Sequence, residues 1–490
     1  MHPMTTAPAS TTTAGASALK IEVNGINVIP ENERHGTPRS LFWPWATASI
    51  SLFNISIAGL LVTFGMGFLP SMLAALTGII VSFALVGLIG VAGKRASAPT
   101  MVISRAAFGV RGNALPTFIS YLTLVGWEIV TVVTTVLAAT TVFDRLGWAH
   151  GIVVEILVFI LVVTVVVVAG VFGFRLVTRY QAVVTVACVM LTAVFIALTI
   201  KDVKWAALGG GDFELAGFIG AATVAAAAFG LGWTNSGADY SRYLPRTASS
   251  GAIVGWTTFA GSLVPIVLVV YGLMLVTSNP SLTSQLSDNP IGALVSLLPT
   301  SALLLLPFLL VLAMGTTGSG AMDLYSSGFS LLTLGLKAPR AVAAGIDGVL
   351  MILGSLYLVW FAGSFFGPFE SFLIFLGVPL AAWAGAFIAD GFLRKQDYVG
   401  SALFDAQDRY GAFGWPALGS MVAGAIVGWG LVTPDSTTSI LAWQGFVFDL
   451  LGVAQQSTWR GADLGVIVAL IIGFCATWLF GRRRVQHQEA

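Results

Sequence analysis

Two tryptophans and two carboxylates, set in otherwise apolar surroundings, are the side chains best placed to do chemistry in this 490-residue chain. Trp127 stands in G-W-E (Gly126–Glu128), and Trp233 stands in F-G-L-G-W-T-N-S-G-A-D-Y-S-R-Y-L-P-R (Phe229–Arg246). An indole offers a flat apolar face on which a planar ring can stack; packing is the ordinary alternative for a tryptophan. Phe229, one helical turn before Trp233, is the second choice for the same task. Thr131, four residues after Trp127, shares its face of a helix. Glu128 follows Trp127 directly and so points about 100° away around the helix. Asp323 lies in M-D-L-Y-S-S-G (Met322–Gly328). A carboxylate in the middle of a membrane span costs ~2.5–3.5 kcal/mol, so such acids mark either a functional site or a buried structural pair.

The elements that carry these residues are interrupted. Gly230, Gly232 and Gly237, with Thr234-Asn235-Ser236, sit where a simple anchor helix would carry leucines. Each glycine costs about 1 kcal/mol against alanine in a helix interior, so the helix is predicted to break here. Backbone groups freed by a break survive in lipid only where they are buried in protein or line a cavity. A second interruption is marked by Ser49, Ser51, Asn54, Ser56 and Gly59. Asn54 and Gly59 are placed to position a cation or the polar edge of a ligand. Two interrupted helices five spans apart point to an inverted repeat with a site at the repeat interface.

Composition sets the surroundings. The chain is 57% hydrophobic and 9% charged, with a mean hydropathy of +0.91, whereas a soluble domain carries about 25% charged residues. The lipid bilayer is therefore its first partner. A net charge of +1 gives no argument for nucleic acid. Cys188 and Cys475 fall in apolar spans and read as small buried hydrophobes rather than a disulfide. The histidines lie in tails or loops, no nucleotide-binding, metal or nucleophile motif is present, and neither enzyme activity nor a cofactor is expected.

A span needs ~20 apolar residues. By that measure twelve are expected, near 44–64, 69–93, 114–142, 151–173, 180–200, 216–238, 250–277, 302–336, 341–362, 367–393, 412–433 and 463–481. The segment 279–301 reads as a linker with a short amphipathic piece. With the N-terminus inside, the outer loops receive Arg145, Lys201, Lys204 and Arg460, and all other basic residues of the 23 fall inside. A miscounted span would reverse the sign of every later loop, so the positive-inside bias supports both count and orientation. The expected organisation is a cytoplasmic tail (1–40, low in complexity and disordered at its start) and five-helix units at 41–200 and 214–393. Helices 11 and 12 (394–481) and a basic cytoplasmic tail (482–490) with Arg482–Arg484 as a topological anchor follow. Both termini are placed in the cytoplasm and the protein in the plasma (inner) membrane.

Several motifs in order along the chain carry a resemblance: E-R-H-G (Glu33–Gly36), L-F-N-I-S-I-A-G (Leu52–Gly59), G-W-E, G-W-T-N-S-G-A-D-Y-S-R-Y-L-P (Gly232–Pro245), M-D-L-Y-S-S-G and F-L-I-F-L-G-V-P-L-A-A-W-A-G (Phe372–Gly385). Together they resemble the nucleobase:cation symporter-1 family, in its purine–cytosine permease branch. The resemblance implies an all-α membrane protein with twelve transmembrane helices, a LeuT-like five-plus-five inverted repeat plus two C-terminal helices. It implies import of a nucleobase (cytosine or a purine) or related small heterocycle by cation symport, with H+ preferred as coupling ion because Asp323 and Glu128 are titratable. The alternative is a Na+-coupled carrier of hydantoin, allantoin or another non-nucleobase ring.

By the same resemblance Trp127 and Trp233 enclose the ring, with Asn54, Thr131 and Asp323 near its polar edges. Thr316, Thr317 and Ser319 match the family's hydroxyl Na+ ligands in one register, against an ordinary alternative of small-residue helix packing. At Thr131 relatives often carry Asn or Gln, and at Asp323 often Asn, so the positions that read the ring edge depart from the family. Asp239, Tyr240, Arg242 and Tyr243 are read as structural or gating residues at the inner end of the sixth span.

Overall fold

A computed structural model describes residues 24–148, 151–172, 174–362, 364–433 and 440–490. Within them the chain is helical, with no strand. Twelve helices run through the bundle, labelled α1 to α12. They are α1 (Pro38–Ala48 plus Phe53–Phe64), α2 (Phe68–Ala96), α3 (Ala114–Arg145), α4 (Ile152–Phe172), α5 (Phe174–Thr199) and α6 (Leu215–Ala226, continued by irregular turns to Ser236). They continue as α7 (Ser250–Ser278), α8 (Ala302–Leu334), α9 (Arg340–Trp360), α10 (Phe366–Leu393), α11 (Trp415–Trp429) and α12 (Leu464–Glu489). Among the described residues eight helices are long and apolar enough to cross a membrane, and the bent α1 pair makes a ninth. The apolar parts of α4, α9 and α11 are shorter. Each falls on one of the twelve spans expected from hydropathy.

Both predicted interruptions are present. The halves of α1 meet at 67° across residues 49–52. In α6 the helix passes into a π turn over Ala227–Leu231, then a 3-10 turn over Thr234–Ser236. The polar residues at each break take up the backbone groups it releases. Asn54 Nδ2 donates to the Ser49 carbonyl at 2.6 Å and Ser56 Oγ to that of Phe53 at 2.6 Å. In α6 the Gly230 amide donates to Ser82 Oγ of α2 at 3.1 Å, and Thr234 Oγ1 donates to the Leu231 carbonyl at 2.6 Å. Gly78 of α2 is needed for this seat, because a Cβ there would lie 2.1 Å from the Ala222 carbonyl oxygen of α6.

The ends of the chain share one face of the bundle. There Ile29 donates its amide to Ser97 at the end of α2, and Arg394 binds Asp390 and Gln488. α12 continues as helix through Arg482–Arg484, and Arg484 donates to the carbonyls of Ala106, Ala107 and Tyr410. The low-complexity start of the chain lies outside the described residues; from Asn24 onward the N-terminal segment is packed, with Ile29 fully buried. At the opposite, far face, Glu214 accepts from the Gly217 amide at the start of α6 and from Thr458 Oγ1 of the α11–α12 loop.

One expectation is extended and one is corrected. The segment 279–301 folds into two short helices, Ser281–Asp288 and Pro290–Ser296, whose Leu282, Leu286 and Ile291 are buried. Asn289 caps the second by accepting from the Gly292 amide at 2.8 Å, with Pro290 at its first position, a pairing suited to a helix start. Cys188 is buried, but Cys475 lies on the exposed face of α12, where the apolar surface of a span meets lipid rather than core.

The Asp239–Tyr243 cluster knits the inner end of α6 to its neighbours. Asp239 Oδ1 accepts from both the amide and the hydroxyl of Thr100 at 2.7 Å, at the start of the short Thr100–Phe108 helix between α2 and α3. Arg242 donates to the Gly25 carbonyl and to Tyr325 Oη, and lies over the Phe329 ring at 4.7 Å. Replacing Asp239 by Ala leaves the buried Thr100 amide without its acceptor, a loss of about 1–3 kcal/mol. Thermal unfolding in detergent should show Asp239→Ala clearly less stable than Asp239→Asn, which keeps one acceptor oxygen; equal stabilities would contradict the clamp.

Candidate binding site between the broken helices

The two breaks face one another across a small cavity of about 60 Å³. α1 contributes Ser49, Ser51 and Asn54; α3 contributes Trp127, Thr131 and Thr134; α6 contributes Phe229 and Trp233; α8 contributes Thr316, Ser319 and Asp323. Phe83 of α2 completes the wall. Residues from four distant parts of the sequence therefore meet at mid-depth.

Each indole is held by other aromatics, so that the cavity lies between fixed planes. Trp127 packs edge-on against Phe369 and Phe372 of α10, with ring centroids 5.7 and 6.0 Å away. The bare Cα of Gly126 makes room for Phe372, whose ring would lie 2.1 Å from a Cβ. Trp233 packs edge-on against Trp45 at 5.9 Å. The other side of Trp127 meets Gly232, where a Cβ would stand 2.7 Å from the indole Nε1. The glycine next to Trp233 thus lets the Trp127 ring approach the broken backbone.

The polar groups differ in how far the protein already uses them. Asp323 is 3% exposed, and its carboxyl has no hydrogen bond or ion pair to the described protein residues. Asn54 spends its amide nitrogen on Ser49, leaving Oδ1 for the cavity. Thr131 presents its methyl to Gly320 of α8, and its hydroxyl has no hydrogen-bond partner among the described residues. Thr316 and Ser319 are already engaged. Thr316 Oγ1 bonds Thr135 Oγ1 at 2.7 Å and the Leu312 carbonyl at 2.9 Å, while Ser319 Oγ donates to the Thr316 carbonyl at 3.0 Å. A hydroxyl that donates in this way keeps a lone pair for a cation. The Thr317 side chain lies outside the described residues.

Glu128 and Gly59 lie off the cavity wall. Gly59 packs on Leu286 and Phe366 at 3.2 Å from a notional Cβ. Glu128, fully buried, turns toward Ser327 of α8 and Asp347 of α9. Phe83, Thr134 and Asp347 were not singled out by sequence reasoning. Asp347 carried a usable signal, an acid inside a span; Phe83 is one apolar residue among many in α2 and carried none. A larger space of about 540 Å³ lies at the far face, beside Glu214, Glu370, Gln444 and Asp463. It contains neither tryptophan and neither helix break.

Comparison with known proteins places this geometry. A family described as "Permease for cytosine/purines, uracil, thiamine, allantoin" matches residues 28–451. The chain is 28% identical over 413 residues to the Bacillus subtilis (strain 168) protein "Putative purine-cytosine permease YxlA", covering 81% of this chain and 85% of that one. Among solved structures it is similar to Mhp1, a nucleobase-cation-symport-1 family transporter in a closed conformation with bromovinylhydantoin bound. The TM-score is 0.70, with 17% identity over 96% of each chain. An inward-facing conformation of Mhp1 matches with a TM-score of 0.68 and 18% identity over 95% of each chain. A Na+-coupled sialic acid symporter matches at 0.57, with 13% identity over 92% of this chain and 91% of that one. Identities this low speak to the fold, which is the LeuT-like one.

The contact at Gly232 gives a test of the cavity geometry. Gly232→Ala drives a methyl into the Trp127 ring and should cost ~1–3 kcal/mol, as overpacking does. Gly255→Ala on α7, where nothing lies within 4 Å of the added atom, is the control and should leave thermal stability unchanged or slightly raised. Equal behaviour of the two variants in detergent melts would contradict the contact.

Proposed function

Because the chain belongs to the family of permeases for cytosine/purines, uracil, thiamine and allantoin, we propose that it is a secondary active importer of a nucleobase, cytosine or a purine, driven by cation symport. The base lies in the cavity between Trp127 and Trp233. Stacking of a base on an aromatic side chain is worth ~1–3 kcal/mol, and the indoles are already fixed by their neighbours, so little entropy is lost on binding. Asn54, Thr131 and Asp323 meet the edges of the ring, with Phe229 closing the wall beside Trp233.

The observation that carries this reading is the Asp323 carboxyl, buried at the cavity wall with no hydrogen bond or ion pair from the described protein residues. A buried polar group without a partner is costly, and a ring rich in N–H donors is a partner of the right shape and chemistry. α1–α5 and α6–α10 serve as the two five-helix repeats, 41–200 and 214–393, whose relative movement exposes the site to each side in turn. Protons are the coupling ion in this reading. In this reading the protein sits in the plasma membrane with both termini in the cytoplasm, an orientation that the distribution of basic residues supports.

One observation favours a second reading. The α1 break brings the Ile50 carbonyl to 3.2 Å from a notional Cβ on Gly315 of α8, next to Thr316 and one turn before Ser319. Backbone carbonyls beside hydroxyls suit Na+. Thr131, with one short hydroxyl where relatives carry an amide, would also suit a hydantoin, allantoin or another non-nucleobase ring.

Proteoliposomes offered cytosine, adenine, uracil, hydantoin and allantoin under separate Na+ and pH gradients decide between the two. Saturable uptake of cytosine or adenine under an inward pH gradient is expected; no uptake of any ring would refute the function. Trp127→Ala and Trp233→Ala should each abolish saturable uptake with expression retained, and Asp323→Asn should lower accumulation at least tenfold. Wild-type transport by both tryptophan variants would remove the stacking site.

A further inference from the structure

Away from the cavity, α3, α8 and α9 bury a second set of acids. Ser327 Oγ lies 2.8 Å from Glu128 Oε1 and 2.8 Å from Asp347 Oδ2. Both carboxylates are fully buried, and Glu128 Oε2 and Asp347 Oδ1 have no hydrogen-bond partner among the described residues. A serine hydroxyl has one hydrogen to donate. It can satisfy one carboxylate oxygen; the other contact closes as a hydrogen bond only if that carboxyl brings its own proton and Ser327 accepts it. The arrangement therefore holds one proton shared by two carboxyls, as like charges at this distance require.

A further group points at the same place. Tyr121, two turns before Glu128 on α3, is 5% exposed, and its hydroxyl has no hydrogen-bond partner. It lies against Asp347. Asp323 stands one turn before Ser327 on α8, on the same face, and within electrostatic reach of Glu128. Asp323 lines the ring cavity, and Ser327, Asp347 and Tyr121 lie closer to the terminal face, with Glu128 beside Ser327. Ser327 and Asp347 each lie seven residues from the terminal-face end of their helix, about 10 Å at the rise of an α-helix.

No described cation neutralises the pair. Arg105, on the short helix packed against the end of α8, donates to the carbonyls of Leu403 and Thr333. Glu155 of α4 binds Trp360 Nε1. On α10, Asp390 is paired with Arg394, and Glu370 sits at the far face. Among the described residues no three histidine, cysteine or acidic side chains gather here to hold a metal ion.

We propose that Glu128, Ser327 and Asp347 form a proton-binding site, separate from the ring cavity, that carries the coupling proton. This rests on the proton-symport reading above. In the loaded state the two carboxyls hold one proton and one negative charge. Release of that proton to water at the terminal face, past Tyr121, leaves two carboxylates on a hydroxyl that can serve only one. The second contact then turns repulsive, which drives α9 away from α3 and α8. Occupancy of the pair is thereby tied to helix position, and the neighbouring Trp127 passes that position to the ring cavity.

Two readouts test this. Infrared spectra in H2O and D2O report the protonated-carboxyl band without any substrate. The wild type should show one that is lost or halved in Glu128→Gln and in Asp347→Asn. With radiolabelled cytosine in proteoliposomes, accumulation under an inward pH gradient should fall at least tenfold in both variants. Counterflow, which needs no net proton movement, should persist at a reduced rate and so report folded protein. A band unchanged in both variants, or wild-type pH-driven accumulation by both, overturns the proposal. A wild type driven by Na+ alone overturns the coupling role. If the wild type carries no cytosine, the functional reading fails for that base, and the infrared band alone decides whether the shared proton exists.

Discussion

An amide or carbonyl released inside an apolar slab must find a partner, at a cost of several kcal/mol if it does not. Much of the interior of this protein follows from that requirement. Both interrupted helices are stitched by short polar side chains to their own carbonyls, and the α6 break is stitched to α2 as well through Ser82. Asn235 adds a link to the Ser120 carbonyl of α3. The polar run Thr234-Asn235-Ser236 is thus largely repair of the backbone. The repair leaves two indole faces, one amide oxygen and one carboxyl at the cavity wall.

What could be read locally was legible in the sequence. Span lengths follow from hydropathy, and the breaks follow from glycines and small polar residues at mid-span, so α1 and α6 were foreseeable. So was the meeting of Trp127 and Trp233 at one cavity once a repeat interface was assumed. Pairings across the bundle were not legible, because helices that are apolar on every side give no periodicity from which to read their rotation. Glu128 could be placed off the Trp127 face by the helical period, but nothing in the sequence said that Ser327 and Asp347 would meet it. The 279–301 segment was legible only in part, as a linker with one amphipathic piece where there are two short helices. Its polar residues face outward and hide two buried leucines, although Asn289-Pro290 was a helix start in plain view.

Glycine has a separate part in this bundle. Gly78, Gly126, Gly230 and Gly232 each stand where an added methyl would strike a neighbour at less than 3 Å. Gly78 and Gly230 let the backbones of α2 and α6 meet, and Gly232 lets the Trp127 ring of α3 reach the α6 break. In the proposed reading the gap between the indoles suits a flat ring, and the Thr131 hydroxyl and Asp323 carboxyl meet its edges.

Glu214 joins two duties that are usually separate. It caps α6 through the Gly217 amide and holds the α11–α12 loop through Thr458. A movement that pulls this loop from α6 strains or breaks the second bond and leaves the first free to loosen, and a lost cap costs about 1 kcal/mol. On the far side of the protein one carboxylate thus makes the order of a helix start and the position of a distant loop depend on each other.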